Sequence, residues 1–240
     1  MTESYESLWE EIHLCDICKN DERIEPGIRN GWKQGAFFPR RAVDPEPPDL
    51  PVRYLLVAQE PSAGRTKGNM DVAQKKIASG LKNFNCNGGD FAIRWAACNW
   101  LVNSGEAFLL TDLAKCAVTL DDAIMTRSQR YHNCRRFLNR EVHSFRLRVI
   151  VAVGKDAYRW CRQAMESDWP PVRWVTHHLY RFPRPRADNE GLPTEAEFDK
   201  FVKERNPTSR ARLHERELNI LSVYKRQFAE IKAEFGGDDR

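Results

Sequence analysis

Three short apolar runs in this chain each end in side chains that can hold or move a proton. Tyr54–Ala58 is followed by Gln59 and Glu60, Ala107–Thr111 by Asp112, and Arg173–Thr176 by His177 and His178. A carboxylate, a second carboxylate and an imidazole gathered in one cleft form an acid–base constellation. It is far less expected by chance than any member alone. The plainer alternative for each is a solvated Glu in a loop, an Asp held in a salt bridge, and a structural His.

The elements that must position these groups follow from the pattern. Apolar runs of four or five residues have the length and composition of buried strands. A further run, Val149–Val153, closes with Gly154. Helical patterns lie between them at Asp71–Leu81, from Asp90 as N-cap through Leu101, at Arg127–Ser144 and at Asp156–Met165. Strands alternating with helices predict a parallel α/β sheet, with ligands bound beyond the strands' carboxyl ends. Pro61 and Gly64 end the first strand and turn the chain there. Thr194–Glu204 and Thr208–Phe235 read as two more helices, the second long and charged with one apolar stripe. Ser4–Leu14 reads as a short amphipathic helix, and Lys19–Val52 as a long surface connection rather than a linker. The expected architecture is α/β, a three-layer αβα arrangement on a four-stranded, mainly parallel sheet, with residues 1–240 as a single domain.

Composition narrows the class. The 240 residues are 41% hydrophobic, enough for a core, and 30% charged, with a net charge of +4. The positive charge is uneven. Seven arginines fall between Arg127 and Arg148, and Arg181, Arg184 and Arg186 cluster later. Such clusters suit a nucleic-acid surface better than a membrane, although each arginine alone is as readily a solvated helix face or the partner of an acid. With no leader pattern and no apolar run near membrane-spanning length, the expected location is cytoplasmic. Seven cysteines in such a chain argue for metal binding or buried thiols rather than disulfides. Cys15 and Cys18 form a C-x2-C pair. By itself the pair is half of a zinc site, half of an iron–sulfur site, or two buried thiols.

Over most of residues 8 to 182 the chain resembles the uracil-DNA glycosylase superfamily, most closely its iron–sulfur branch, families 4 and 5. The C-x2-C pair opens that pattern. Thr111–Cys116, TDLAKC, is similar to the family's TNVVKC motif, and 17 residues then separate Cys116 from Cys134. The run from Cys134 to Ala157 matches the family's helix–strand–glycine segment. THHLYR falls on its HPS-type loop, with His177 at the histidine position. The resemblance implies a 4Fe–4S cluster on Cys15, Cys18, Cys116 and Cys134, with zinc as the alternative occupant. The cluster would pin the N-terminal segment rather than do redox chemistry. Cys86, Cys98 and Cys161 have no place in the pattern and read as buried thiols.

The departures bear on substrate. Where the iron–sulfur members have GEAPG, this chain has Ala58, Gln59, Glu60, Pro61 and Ser62. That looks more like the GQDPY of family 1, with Glu60 at its water-activating aspartate and Ser62 where a tyrosine crowds the base C5. Asp112 replaces the uracil-reading asparagine, and HPS has become HHL. The resemblance therefore implies Glu60 and His177 as catalytic groups, with Gln59, Ser62, Asp112 and His178 around the base. Phe84, Phe91 and Trp95 are candidates for stacking on it. Leu179 or Tyr180 would wedge the DNA, and Arg181, Arg184 and Arg186 would hold phosphates. The implied partner is double-stranded DNA with a flipped base, and the implied state a monomer. An ionised aspartate only accepts hydrogen bonds, so it disfavours uracil O4 and welcomes the cytosine amine. The expected function is a DNA glycosylase for a C5-modified cytosine in phage DNA. The alternatives are a uracil-DNA glycosylase of base-excision repair, a non-catalytic iron–sulfur nucleic-acid-binding protein, or an iron–sulfur redox sensor.

Overall fold

A computed structural model describes residues 7, 8, 11, 12, 15, 17, 18, 37–39, 50–59, 88–118, 126–177, 190–205, 209 and 211–237; for residues 37–39, 88, 90 and 116–118 it describes the backbone only. The elements run in the order β1 (Phe37–Pro39), β2 (Val52–Ala58), α1 (Gly88–Ala96), β3 (Ala107–Asp112), β4 (Cys116–Val118), α2 (Arg127–His143), β5 (Val149–Val153), α3 (Lys155–Ala164), β6 (Val172–Val175), α4 (Glu195–Arg205) and α5 (Glu215–Phe235). Four of the strands form a sheet in the order β3-β2-β5-β6, parallel throughout. All four carboxyl ends therefore lie on one edge. β1 and β4 pair separately as an antiparallel ribbon, in which Pro39 stands opposite Cys116.

Alternation along the strands divides the core in two. Tyr54, Leu56, Phe108, Leu110, Val149, Val151 and Val153 face α1, α4 and α5, where Phe91, Phe198, Tyr224 and Phe228 meet them. Leu55, Val57, Leu109, Ile150 and Ala152 face α2 and α3, against Phe137, Leu138 and Ala157. Leu8 and Ile12, both helical and buried, dock on this second side. The expected three-layer arrangement is thus observed, with the sheet in the middle. Burying a Leu, Val or Phe side chain is worth about 1.5–3 kcal/mol, so both faces of the sheet are firmly held.

Helix boundaries have local causes. Thr126 caps α2 by accepting from the Gln129 N–H, while the Gln129 side chain accepts from the Thr126 N–H at 2.9 Å. Thr194 and Glu197 make the same reciprocal arrangement at α4, a capping box in both cases. α1 begins at Gly88, so Asp90 lies inside the helix rather than at its cap. Past α1 the chain widens into a π-helical turn, Ala97–Leu101. The long terminal helix begins at Glu215, not Thr208. The helix expected over Asp71–Leu81 lies outside the described residues.

Candidate functional site

The strand-end residues take their places from the sheet register. Asp112, the last residue of β3, stands opposite Ala58 of β2. The pairing continues past both strands, with Leu113 N–H donating to Ala58 O at 2.9 Å and Ala114 N–H donating to Gln59 O at 3.0 Å. Two residues that are 53 apart in the chain, Asp112 and Gln59, are thereby fixed side by side at one edge. On the other flank, Gly154 N–H donates to Val175 O at 2.7 Å, which carries β6 along β5 up to Thr176 and His177. From Asp112 to His177 the edge spans three strand spacings, roughly 14 Å. The strand that leads into Glu60 lies between them.

Asp112 is 5% exposed and shares the sheet face of Leu110 and Phe108, toward α1 and α5. Its neighbour Thr111 faces the opposite way. The Thr111 hydroxyl donates to the Glu141 carboxylate at 3.0 Å. Lys115 Nζ donates to Glu141 Oε2 at 2.6 Å and to Thr111 Oγ1 at 2.7 Å. Lys115 and Glu141 are 3% and 1% exposed. A buried ammonium so closely held is not available at the molecular surface. It braces the turn that carries Asp112 at one end and Cys116 at the other.

His177 is half-buried and lies against Gly154. A β-carbon on Gly154 would stand 3.1 Å from His177 Cβ and 3.3 Å from Cδ2. Gly154 also holds φ 95° and ψ 159°, backbone open almost only to glycine. Thr176, the residue before the histidine, is held from α5. Its N–H donates to Gln227 Oε1 at 3.0 Å, and Gln227 Nε2 donates to Thr176 Oγ1 at 3.3 Å.

Three of the four expected cysteines, Cys15, Cys18 and Cys134, lie near enough to act on one another. The Lys115 N–H donates to Cys134 Sγ at 3.4 Å, which brings the Cys116 segment to Cys134. The Asn133 amide donates to Cys18 Sγ at 3.5 Å. Cys134 is buried, and its thiol is pushed up to about 11 by burial, with Cys18 and Cys15 adding to the rise. Such a thiol ionises at neutral pH only with a cation to hold it. The two sulfurs that accept N–H contacts, Cys134 and Cys18, are soft donors of the type that structural iron–sulfur and zinc groups use. Among the described residues no group of three or more Cys, His, Asp or Glu side chains is closed to metal-holding geometry. The Cys116 side chain is outside them.

Other expectations are corrected. Cys98 is exposed, not buried, with its sulfur 3.9 Å from an Arg205 nitrogen. Cys161 is buried as expected and its thiol is pushed up to about 12 by desolvation. Phe91 is fully buried in the core, so it is not presented to a base; Trp95 is half-buried and packs edge-to-face on Trp100 at 5.0 Å. Three arginines of α2 have acidic partners. Arg136 and Arg140 pair with Glu11 of the N-terminal helix and Arg135 with Glu166; past the helix, Arg148 pairs with Glu106. Glu60, Ser62, His178, Leu179, Tyr180, Arg181, Arg184, Arg186, Cys86 and Phe84 lie outside the described residues. Gln227 and Glu141 were absent from the sequence-based set. A polar residue in the apolar stripe of an amphipathic helix was the one available signal for Gln227.

No helix among the described residues is long and apolar enough to cross a membrane. A family model described as the Uracil DNA glycosylase superfamily matches residues 50–205. The match includes the whole sheet and starts after the Cys15–Cys18 pair. No curated protein matches the chain significantly.

Proposed function

The chain belongs to the uracil DNA glycosylase superfamily, a superfamily of DNA glycosylases, and we propose that it removes a cytosine-type base rather than uracil. One observation carries this: Asp112 is buried at the carboxyl end of β3, held in register beside Gln59, at the edge where α/β sheets bind ligands. As a carboxylate it accepts from the N4 amine of cytosine and opposes O4 of uracil.

The reaction requires the base to leave the stack and have its Watson–Crick edge held. The C1′–N1 bond then breaks with its electron pair moving to the base. A water oxygen bonds to C1′ and gives up a proton to Glu60, leaving an abasic site. Glu60 orients this water and offsets the positive charge that develops on the sugar. His177 donates to base O2 as negative charge builds there. Gln59 and His178 border the base, and Ser62 leaves space at C5. Leu179 or Tyr180 fills the gap in the duplex, and Arg181, Arg184 and Arg186 contact phosphates. Cys15, Cys18, Cys116 and Cys134 hold a 4Fe–4S cluster, or zinc, which fastens the N-terminal helix to the turn after β3.

Excision of ordinary cytosine would destroy the cell's own genome. The substrate is therefore a C5-modified cytosine, hydroxymethylated or glucosylated, of invading phage DNA, and the role is antiviral defence. Uracil repair is the second reading, supported by the family that the chain belongs to. An aspartate-to-asparagine exchange separates the two. Asp112→Asn is expected to lose release of the modified cytosine and gain release of uracil. Uracil release by the unaltered chain, unchanged by Asp112→Asn, would refute the cytosine reading.

A further inference from the structure

We propose that Gln227 is a positioning residue for His177, and that α5, which lies beyond the span matched by the family model, serves as a splint for the catalytic strand end. Among the described residues β6 is an edge strand, with no neighbouring strand on its open side. α5 supplies partners from side chains instead. Gln227 accepts from Thr176 N–H at 3.0 Å and donates to the Thr176 hydroxyl at 3.3 Å. Two turns further along, Glu234 takes Arg173 in an ion pair, with Nε to Oε2 at 3.1 Å. The Arg173 guanidinium also lies 4.9 Å from the Phe235 ring centre.

The spacing makes this a matched pair of fastenings. Arg173 on β6 and Thr176 just past its end are three residues apart, and Gln227 and Glu234 are seven apart on α5, in the opposite direction. Both intervals cover about 10 Å, at roughly 3.3 Å per strand residue and 1.5 Å per helical residue. The helix thus runs antiparallel along the strand and grips it twice. Its apolar stripe, Ile220, Leu221, Tyr224, Phe228 and Ile231, is sunk in the core, so the splint is itself rigid. Gly154 limits His177 from the other side. The imidazole is therefore set between a glycine that leaves it room and a glutamine that holds the residue before it.

This deepens the proposed function and rests on His177 as the group that donates to the base. A donor must meet its acceptor within a few tenths of an ångström, and a displacement of 1 Å can cost about 100-fold in rate. Gln227→Leu removes both contacts at similar volume. Gln227→Glu keeps acceptors for the N–H and the hydroxyl of Thr176. Base release would be measured on uracil-containing and on hydroxymethylcytosine-containing duplexes, with amide hydrogen exchange on the same proteins.

Gln227→Leu is expected to lower kcat about 10-fold or more with KM for DNA unchanged, and to speed exchange at Thr176 and His177. Gln227→Glu is expected to restore both. In a His177→Ala background, Gln227→Leu should cause no further loss, because its effect passes through the imidazole. If His177→Ala abolishes release while Gln227→Leu leaves kcat intact, the positioning role is wrong and the site stands. If His177→Ala has no effect, or neither duplex loses a base to the wild type, the proposed function fails and the inference with it.

Discussion

The imidazole of His177 rests on Gly154, so closely that a β-carbon at position 154 would stand 3.1 Å from His177 Cβ. The contact joins the ends of β5 and β6 at the edge where Asp112 and Gln59 are also found.

Gly154→Ala meets two obstacles, the φ of 95° and the His177 ring. The backbone alone should cost about 1–3 kcal/mol. Base release should fall further than stability does, because the ring is pushed from its place. Urea denaturation and initial rates on the same protein check this. In Gly154→Ala combined with His177→Ala the 3.3 Å contact with Cδ2 is gone but the 3.1 Å contact with Cβ stays, so only a small part of the lost stability should return.

The Lys115–Glu141 pair is buried to 4% and 2% side-chain exposure, so breaking one side strands a charge. Lys115→Met should cost about 3–5 kcal/mol. Lys115→Met with Glu141→Leu should recover most of it, as paired buried charges are often replaced at little cost. Urea midpoints of the three proteins decide. A small loss in the single variant would mean that the pair is wetter than its burial indicates.

His143 and Asp168 form an exposed pair, with Nε2 to Oδ2 at 2.8 Å. The Asp168 contact, then the Asn139 carbonyl, raises His143 above its ordinary 6.5. A raised histidine contributes stability that is complete below pH 6.5 and is lost as pH rises through its folded value. Asp168 is lowered from 3.8, chiefly by His143, so its share is lost as pH falls through its own folded value. The pair should therefore help most between about pH 4 and 6.5. His143→Ala should lower the urea midpoint at pH 5.5 and leave it nearly unchanged at pH 8.5.

If Cys134 holds a metal group with Cys15, Cys18 and Cys116, the purified chain should carry iron and sulfide, or zinc, and Cys134→Ala should lack them. Leu8, Ile12 and the Glu11 ion pairs would still hold the N-terminal helix, but the metal link would be gone. Limited proteolysis should cut it free sooner. Equal metal content in wild type and Cys134→Ala would dismiss the ligand assignment.

What the sequence made legible was mostly local. VIVAV, AFLLT and RYLLVA are runs apolar enough to be buried on both faces, and they are β5, β3 and β2. Asp112 and His177 were visible because a polar residue follows each run, and parallel pairing brings both to one edge. Gly154 was visible only as the end of a strand. Its positive φ and its contact with His177 depend on a neighbour 23 residues away. The arginines of α2 were misleading for a similar reason. Periodicity places them on the helix surface, but it does not reveal that Glu11 and Glu166 come to meet them. Lys115 with Glu141 and Thr176 with Gln227 are likewise tertiary pairs, 26 and 51 residues apart. The β1–β4 ribbon was missed because three-residue strands carry too little periodicity to register.

The most direct measurement is base release from three duplexes, containing uracil, plain cytosine and hydroxymethylcytosine, each with wild type and Glu60→Ala. Release from the hydroxymethylcytosine duplex alone, lost in Glu60→Ala, is the predicted result. Release of uracil alone would contradict the reading of Asp112, and release from none would contradict the glycosylase assignment itself.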